Sequence, residues 1–131
     1  MIQRRFFFLS ALAALLWRSA GSATPAPLPE SPPTMYGLIS KLKTISGKRD
    51  ALIDILLDGT RDMPGCRIYT VSRDQADEDG VWIHEVWTSE DHHRAALQLP
   101  EVQQALAAGK PLIAGFEARH AVTPVGGVGI D

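Results

Sequence analysis

With one cysteine in 131 residues, Cys66, the chain cannot form an internal disulfide. In an oxidising compartment a lone thiol is tolerated when it is buried or kept unpaired. Cys66, inside "CRIYTVSR", therefore reads as a small apolar strand residue rather than a nucleophile. Long apolar runs are missing too. The longest, "FFFLSALAALLW" from Phe6 to Trp17, has 12 residues. As a helix it would reach about 18 Å, short of a hydrocarbon core of about 30 Å, so no stable membrane span is expected. Basic residues are outnumbered 13 to 15 and form no stripe, which excludes nucleic acid as a natural partner. The adjacent histidines of "HH" have no cysteine or carboxylate at ligand spacing, so no metal is expected. "GGVG", near the end, precedes no helix and is not a phosphate loop.

The N-terminal run has another reading. Arg4 and Arg5 precede it, and small residues follow at "RSAGSAT", where cleavage after Ser22 or Ala23 would fit. Residues 1–23 are thus expected to be a secretory signal, and the mature protein to be periplasmic or secreted. "RRFFFL" is similar to the twin-arginine export motif; a plain Sec signal is the alternative. No cysteine follows the run to carry a lipid. Loss of Arg4, Arg5 and Arg18 leaves ten basic against 15 acidic residues, a net charge of −5.

The next stretch, "TPAPLPESPPT" at 24–34, holds five prolines and is expected to be an extended tether. The folded domain is expected over 35–125, with 126–131 flexible. "MYGLISKLKTI" alternates Tyr36, Leu38, Ser40 and Leu42 against Met35, Gly37, Ile39 and Lys41, the period of a strand. "SGKRDALIDILLDGTRDM" switches to helical spacing, with Leu52, Ile55, Leu56 and Gly59 on one face and Ser46 as the expected N-cap. "CRIYTVSR" and "VWIHEVW" are strands joined by the charged turn Asp74–Gly80, a hairpin. Thr88 or Ser89 caps a second helix, in which Pro100 forces a break or restart and Gly109 a stop. "FEARHAVTPV" is the last strand. The order β-α-β-β-α-β is that of an α+β, ferredoxin-like fold, a four-stranded antiparallel sheet with helices on one face. Fewer than 100 residues with one sheet face uncovered make a marginal core, so a homodimer that pairs those faces is expected.

Three of the four histidines and two of the three tryptophans lie between Val81 and Val102. Strand alternation sorts Val81, Ile83, Glu85 and Trp87 to one face and Trp82, His84 and Val86 to the other. Glu85 is either a buried acid with a raised pKa or a partner for Arg67 or Arg119. Trp87 is a cavity wall, an N–H donor or a core residue closing the strand. His92, in the first turn of a helix, meets the positive end of the dipole and would be held neutral, as a base must be; otherwise it is merely solvated. His93, one position round, is expected to be exposed. His84 and His120 sit on different strands and could face one another. Tyr36 and Tyr69 could line a ring pocket or simply pack.

The layout and several local motifs resemble the antibiotic biosynthesis monooxygenase family, in particular its small quinol-monooxygenase-like members. The motifs are Glu85-Val86-Trp87 followed by "TSEDHH" and "RAALQLP" with Pro100 at the break, "ISG" before the first helix, and "PGC" before the second strand. The resemblance covers Met35 to Gly126. It implies a dimeric α+β barrel that oxygenates a quinol-like or polyphenolic aromatic with O2 and no cofactor. The resemblance carries over to His92 as a catalytic residue; the residues themselves add Trp87 and Glu85 as catalytic candidates, with Tyr36, Tyr69, Trp82, His84 and His120 as substrate-binding candidates. A subset of the family degrades haem instead, and a non-catalytic ligand-binding barrel is the remaining alternative. Many members carry a histidine about nine residues after the tryptophan, where this chain has Ala96. That departure removes the expected axial ligand of a haem site.

Overall fold

The computed structural model describes residues 33–130, together with residue 21 and residues 24–27. The expected signal, apart from residue 21, and the middle of the expected tether lie outside the described residues. Residues 24–27 are exposed and form neither helix nor strand. No helix among the described residues is long and apolar enough to cross a membrane.

Four strands and three helices follow in the order β1 (Tyr36–Thr44), α1 (Arg49–Gly59), β2 (Cys66–Arg73), β3 (Gly80–Trp87), α2 (Glu90–Ala96), α3 (Pro100–Gly109) and β4 (Ile113–Val122), with a 3-10 turn at Lys110–Leu112. All neighbouring strands are antiparallel, in the order β2-β3-β1-β4. This is the expected α+β, ferredoxin-like sheet. The second helical region is two helices rather than one. Pro100 has no N–H to bond back into α2, but serves as the first residue of α3.

Alternation along β1 and β3 sets the register. Leu38 pairs with Glu85, Ser40 with Ile83 and Leu42 with Val81, all on the face under the helices. Leu42, Val81 and Ile83 meet Leu52, Ile53 and Leu56 of α1 in the core. The buried stripe of α1 is therefore wider than expected and includes Ile53. The helix packs on two neighbours, with Leu52, Ile53 and Leu56 buried while Ile55 and Gly59 lie along the groove beside Ala105 of α3.

The start of α1 also differs from expectation. Ser46 is not its cap. Ile45 to Lys48 form a turn closed by Lys48 N–H to the Ile45 carbonyl at 3.0 Å, with Gly47 at φ 76°, as the third position of a type II turn requires. At the other end, a Cβ on Gly59 would collide with Ala105. Gly59→Ala should therefore cost about 1–3 kcal/mol through overpacking, despite its better helix propensity. Thermal melting checks this: the single variant should melt lower, and adding Ala105→Gly should recover most of the loss.

On the outer face, Lys41 bonds Glu117 at 2.9 Å, and Asp74 and Asp77 approach the same ammonium. These contacts, with Lys43 on Asp77 at 2.8 Å, fasten the β2–β3 turn to the sheet. The chain turns again near its end, where Ile130 N–H reaches the Gly127 carbonyl at 3.2 Å and the Ile130 side chain is buried.

Candidate functional site

A cavity of about 150 Å3 lies between the sheet and the three helices. It is lined mainly by apolar side chains, with Ser40, Thr60, Tyr69, Glu85, His93 and Arg119 as its polar groups alongside Trp87. A dry apolar cavity of this size accommodates a single aromatic ring.

β3 supplies two of these residues by alternation. Trp87, at 1% exposure, closes the strand end, and its indole N–H donates to Glu85 Oε1 at 3.2 Å. Burial raises the Glu85 pKa above the ordinary carboxylate range; the Trp87 hydrogen bond and the charge of Arg119 pull the other way without reversing it. Both sequence readings of Glu85 thus hold in part: it is a partly buried acid with a raised pKa, and Arg119 is the arginine whose charge it feels. Tyr69 pairs with Glu85 across the hairpin, and its hydroxyl-bearing ring lines the cavity along with Thr60. Burial, reinforced by the Glu85 charge, pushes that hydroxyl above the usual tyrosine range.

α2 supplies the histidine, and it is His93. Its side chain is 7% exposed and faces the cavity, with its ring 5.5 Å from Trp87 in a T-shaped contact and 5.3 Å from Tyr36. Burial, then the charge of Arg119, lowers its pKa and keeps the imidazole neutral. His92 is exposed instead. Ser89, the N-cap, accepts the His92 backbone N–H at 3.3 Å and lies 2.7 Å from its Nδ1. The His92 ring covers Gly65, whose φ of 80° and lack of a Cβ leave room for it. The two placements are therefore the reverse of the sequence expectation. Helical geometry explains why: Ala96 and Leu97 line the cavity, and a residue three to four positions earlier on that face is His93. That spacing was present in the sequence, so the signal existed.

β4 supplies Arg119. A bulge leaves Glu117 outside the strand register with β1, because Phe116 pairs with Leu42 while Ala118 pairs with Lys41. The extra residue brings both Phe116 and Arg119 to the cavity side. Sequence reading offered Arg119 only as an ion-pair partner and passed over Phe116, since a bulge leaves no mark in the alternation.

Of the five substrate-binding candidates, Tyr69 alone lines the cavity. Tyr36 stands behind His93. Trp82, His84 and His120 belong to the opposite face of the sheet. There Trp82 Nε1–H donates to Asp74 Oδ2 at 2.7 Å, with Lys41 over its ring. His84 and His120 are the two cross-strand neighbours of Ile39, so they sit on either side of it rather than facing each other. Cys66 donates its thiol proton to the Ile68 carbonyl at 3.4 Å, and burial pushes its pKa up to about 11, as an unreactive thiol requires. Ala96, at 4% exposure, faces the cavity, so the position where a histidine was expected does open onto the site.

The sequence over residues 35–108 matches the family model of antibiotic biosynthesis monooxygenases. Among solved structures, a Chloroflexus aurantiacus protein described as a candidate antibiotic biosynthesis monooxygenase is 52% identical, over 75% of this chain and 100% of that one, with a TM-score of 0.73. A Caulobacter crescentus protein described in the same terms is 23% identical, over 72% of this chain and 93% of that one, with a TM-score of 0.65. One from Nitrosomonas europaea shares the fold at 16% identity, over 73% of this chain and 92% of that one, with a TM-score of 0.61. No curated protein matches the chain.

Proposed function

The chain belongs to the antibiotic biosynthesis monooxygenase family, and on that premise we propose that it oxygenates a quinol-like or phenolic ring with O2 and no bound cofactor. The observation that carries this reading is a one-ring apolar cavity with a partly buried, oriented carboxylate at one end. Glu85 takes a ring hydroxyl proton, and burial makes it a stronger base than an ordinary glutamate. Trp87 holds that carboxylate in place through its N–H. Arg119 stabilises the phenolate, and neutral His93 hydrogen-bonds the oxygen that develops charge.

The electron-rich phenolate then supplies every electron. A hydroquinone and O2 give a hydroxyquinone and water, with one oxygen atom entering the ring and the other leaving as water. No external reductant is consumed. The cavity volume does not favour the haem-degrading alternative, because a tetrapyrrole is several times larger than a single ring.

The proposal includes export, supported by Arg4, Arg5 and the apolar run after them, and a homodimer, supported by Ile39, Val86 and Ile68 on the uncovered sheet face. Sedimentation at micromolar concentration should report twice the monomer mass; a single-chain mass would rule the dimer out. The test of function is oxygen uptake with a panel of hydroquinones. His93→Ala should lower the rate about tenfold or more, whereas His92→Ala should stay within about twofold. Equal losses in the two variants would contradict the placement of the site.

A further inference from the structure

The cavity has a polar end and an apolar end, and strand register orders them. Trp87 and Glu85 pair with Tyr36 and Leu38 at one end of β1; Ser40, the next inward-facing residue, pairs with Arg119. Beyond it, Leu42 pairs with Phe116 and Thr44 with Ile113. Glu85, Trp87 and His93 therefore cluster at one end, while Leu42, Ile113 and Phe116 occupy the other, together with Leu106 from the second half of α3. The apolar end is also the open one. Phe116 is 61% exposed and Leu106 48% exposed, yet both face the cavity. A cavity of about 150 Å3 is filled by one ring, so any further part of a substrate has to leave through this mouth. Two large apolar side chains held half in water, at the rim of a pocket, are characteristic of a surface that covers an apolar ligand.

The geometry points to a substrate whose oxygenated ring carries an apolar alkyl side chain, with the ring oxygens at the Glu85 end and the chain passing out between Leu106 and Phe116. This rests on the monooxygenase reading for what happens to the ring; the recognition of the chain is a separate property of the mouth. Arg119, paired with Ser40, lies between the two ends, and its side chain is exposed as those of Leu106 and Phe116 are.

Two series test this on the full-length protein. Calorimetric titration with 4-methyl-, 4-butyl- and 4-octylphenol measures binding without turnover. Oxygen uptake with 2-methyl-, 2-butyl- and 2-octylhydroquinone measures the reaction. From methyl to butyl the affinity should rise at least about tenfold, given about 0.8 kcal/mol per fully buried methylene and only partial burial at the mouth. In Leu106→Ser/Phe116→Ser the series should flatten to within about twofold. Both positions are exposed, so the substitutions leave the core intact. A flat series in the parent, or an equal slope in the variant, overturns the inference. Uptake without a chain-length slope contradicts the side chain alone. A slope in binding without any uptake supports the side chain and contradicts the monooxygenase reading.

Discussion

Glu85→Gln should lower kcat for hydroquinone oxidation by about 100-fold or more, the range expected when a general base is lost. Glutamine keeps the shape of the side chain and an oxygen that can accept the Trp87 N–H now held at 3.2 Å, so the ring's seat is unchanged. What disappears is the ability to take a proton. The pH dependence carries the same signature. Glu85 must be ionised to act, and its pKa is raised by burial, so kcat should climb with pH through a midpoint above the ordinary glutamate value of about 4.3. The linkage to stability has the opposite sign. A carboxyl whose pKa is raised on folding favours the folded state below its unfolded pKa, and that contribution is lost as pH rises through the folded value. At neutral pH the parent bears the cost of a partly desolvated charge, and Glu85→Gln should melt no lower than the parent. An oxygen electrode and a melting curve decide both points. Undiminished kcat in Glu85→Gln would remove the carboxylate from the mechanism.

Trp87→Ala should be the most damaging single change to stability. The side chain is 1% exposed, closes β3, stacks edge-on against His93 and holds Glu85. Removing a buried tryptophan costs about 3–5 kcal/mol. In an ordered domain of this size each kcal/mol lowers Tm by about 4–8 °C, so a fall of more than about 12 °C is expected. Trp87→Phe separates packing from polarity. It keeps most of the ring and should lose far less stability, yet it leaves Glu85 without its N–H donor. That variant should retain most of its melting temperature and lose activity. If Trp87→Ala melts within a few degrees of the parent, the residue is not part of the core.

The sequence made the sheet and the helix faces legible because both rest on short periods. Alternation in "VWIHEVW" placed Glu85 and Trp87 on one face, and the structure puts both at the cavity. The same alternation placed Trp82 and His84 on the other face; only their aromatic character suggested a pocket. Long-range geometry was less legible. The bulge at Glu117, which turns Phe116 and Arg119 inward, depends on how β4 meets β1 and has no local signature. The cap of α1 was misplaced because Ser46 is a good cap by type, while Gly47 at positive φ makes a turn there instead. His93 was legible in principle from its spacing to Ala96 and Leu97. Family likeness drew the reading to His92, which the structure shows on the helix exterior beside Ser89.

The central claim is oxygenation in which the substrate provides all the electrons. Turnover of a 2-alkylhydroquinone under 18O2 by the purified protein, without added metal, flavin or reductant, tests it most directly. The account predicts one labelled oxygen atom in the hydroxyquinone and one in water, at a rate well above autoxidation. A rate no higher than autoxidation, or a product without label, would contradict it.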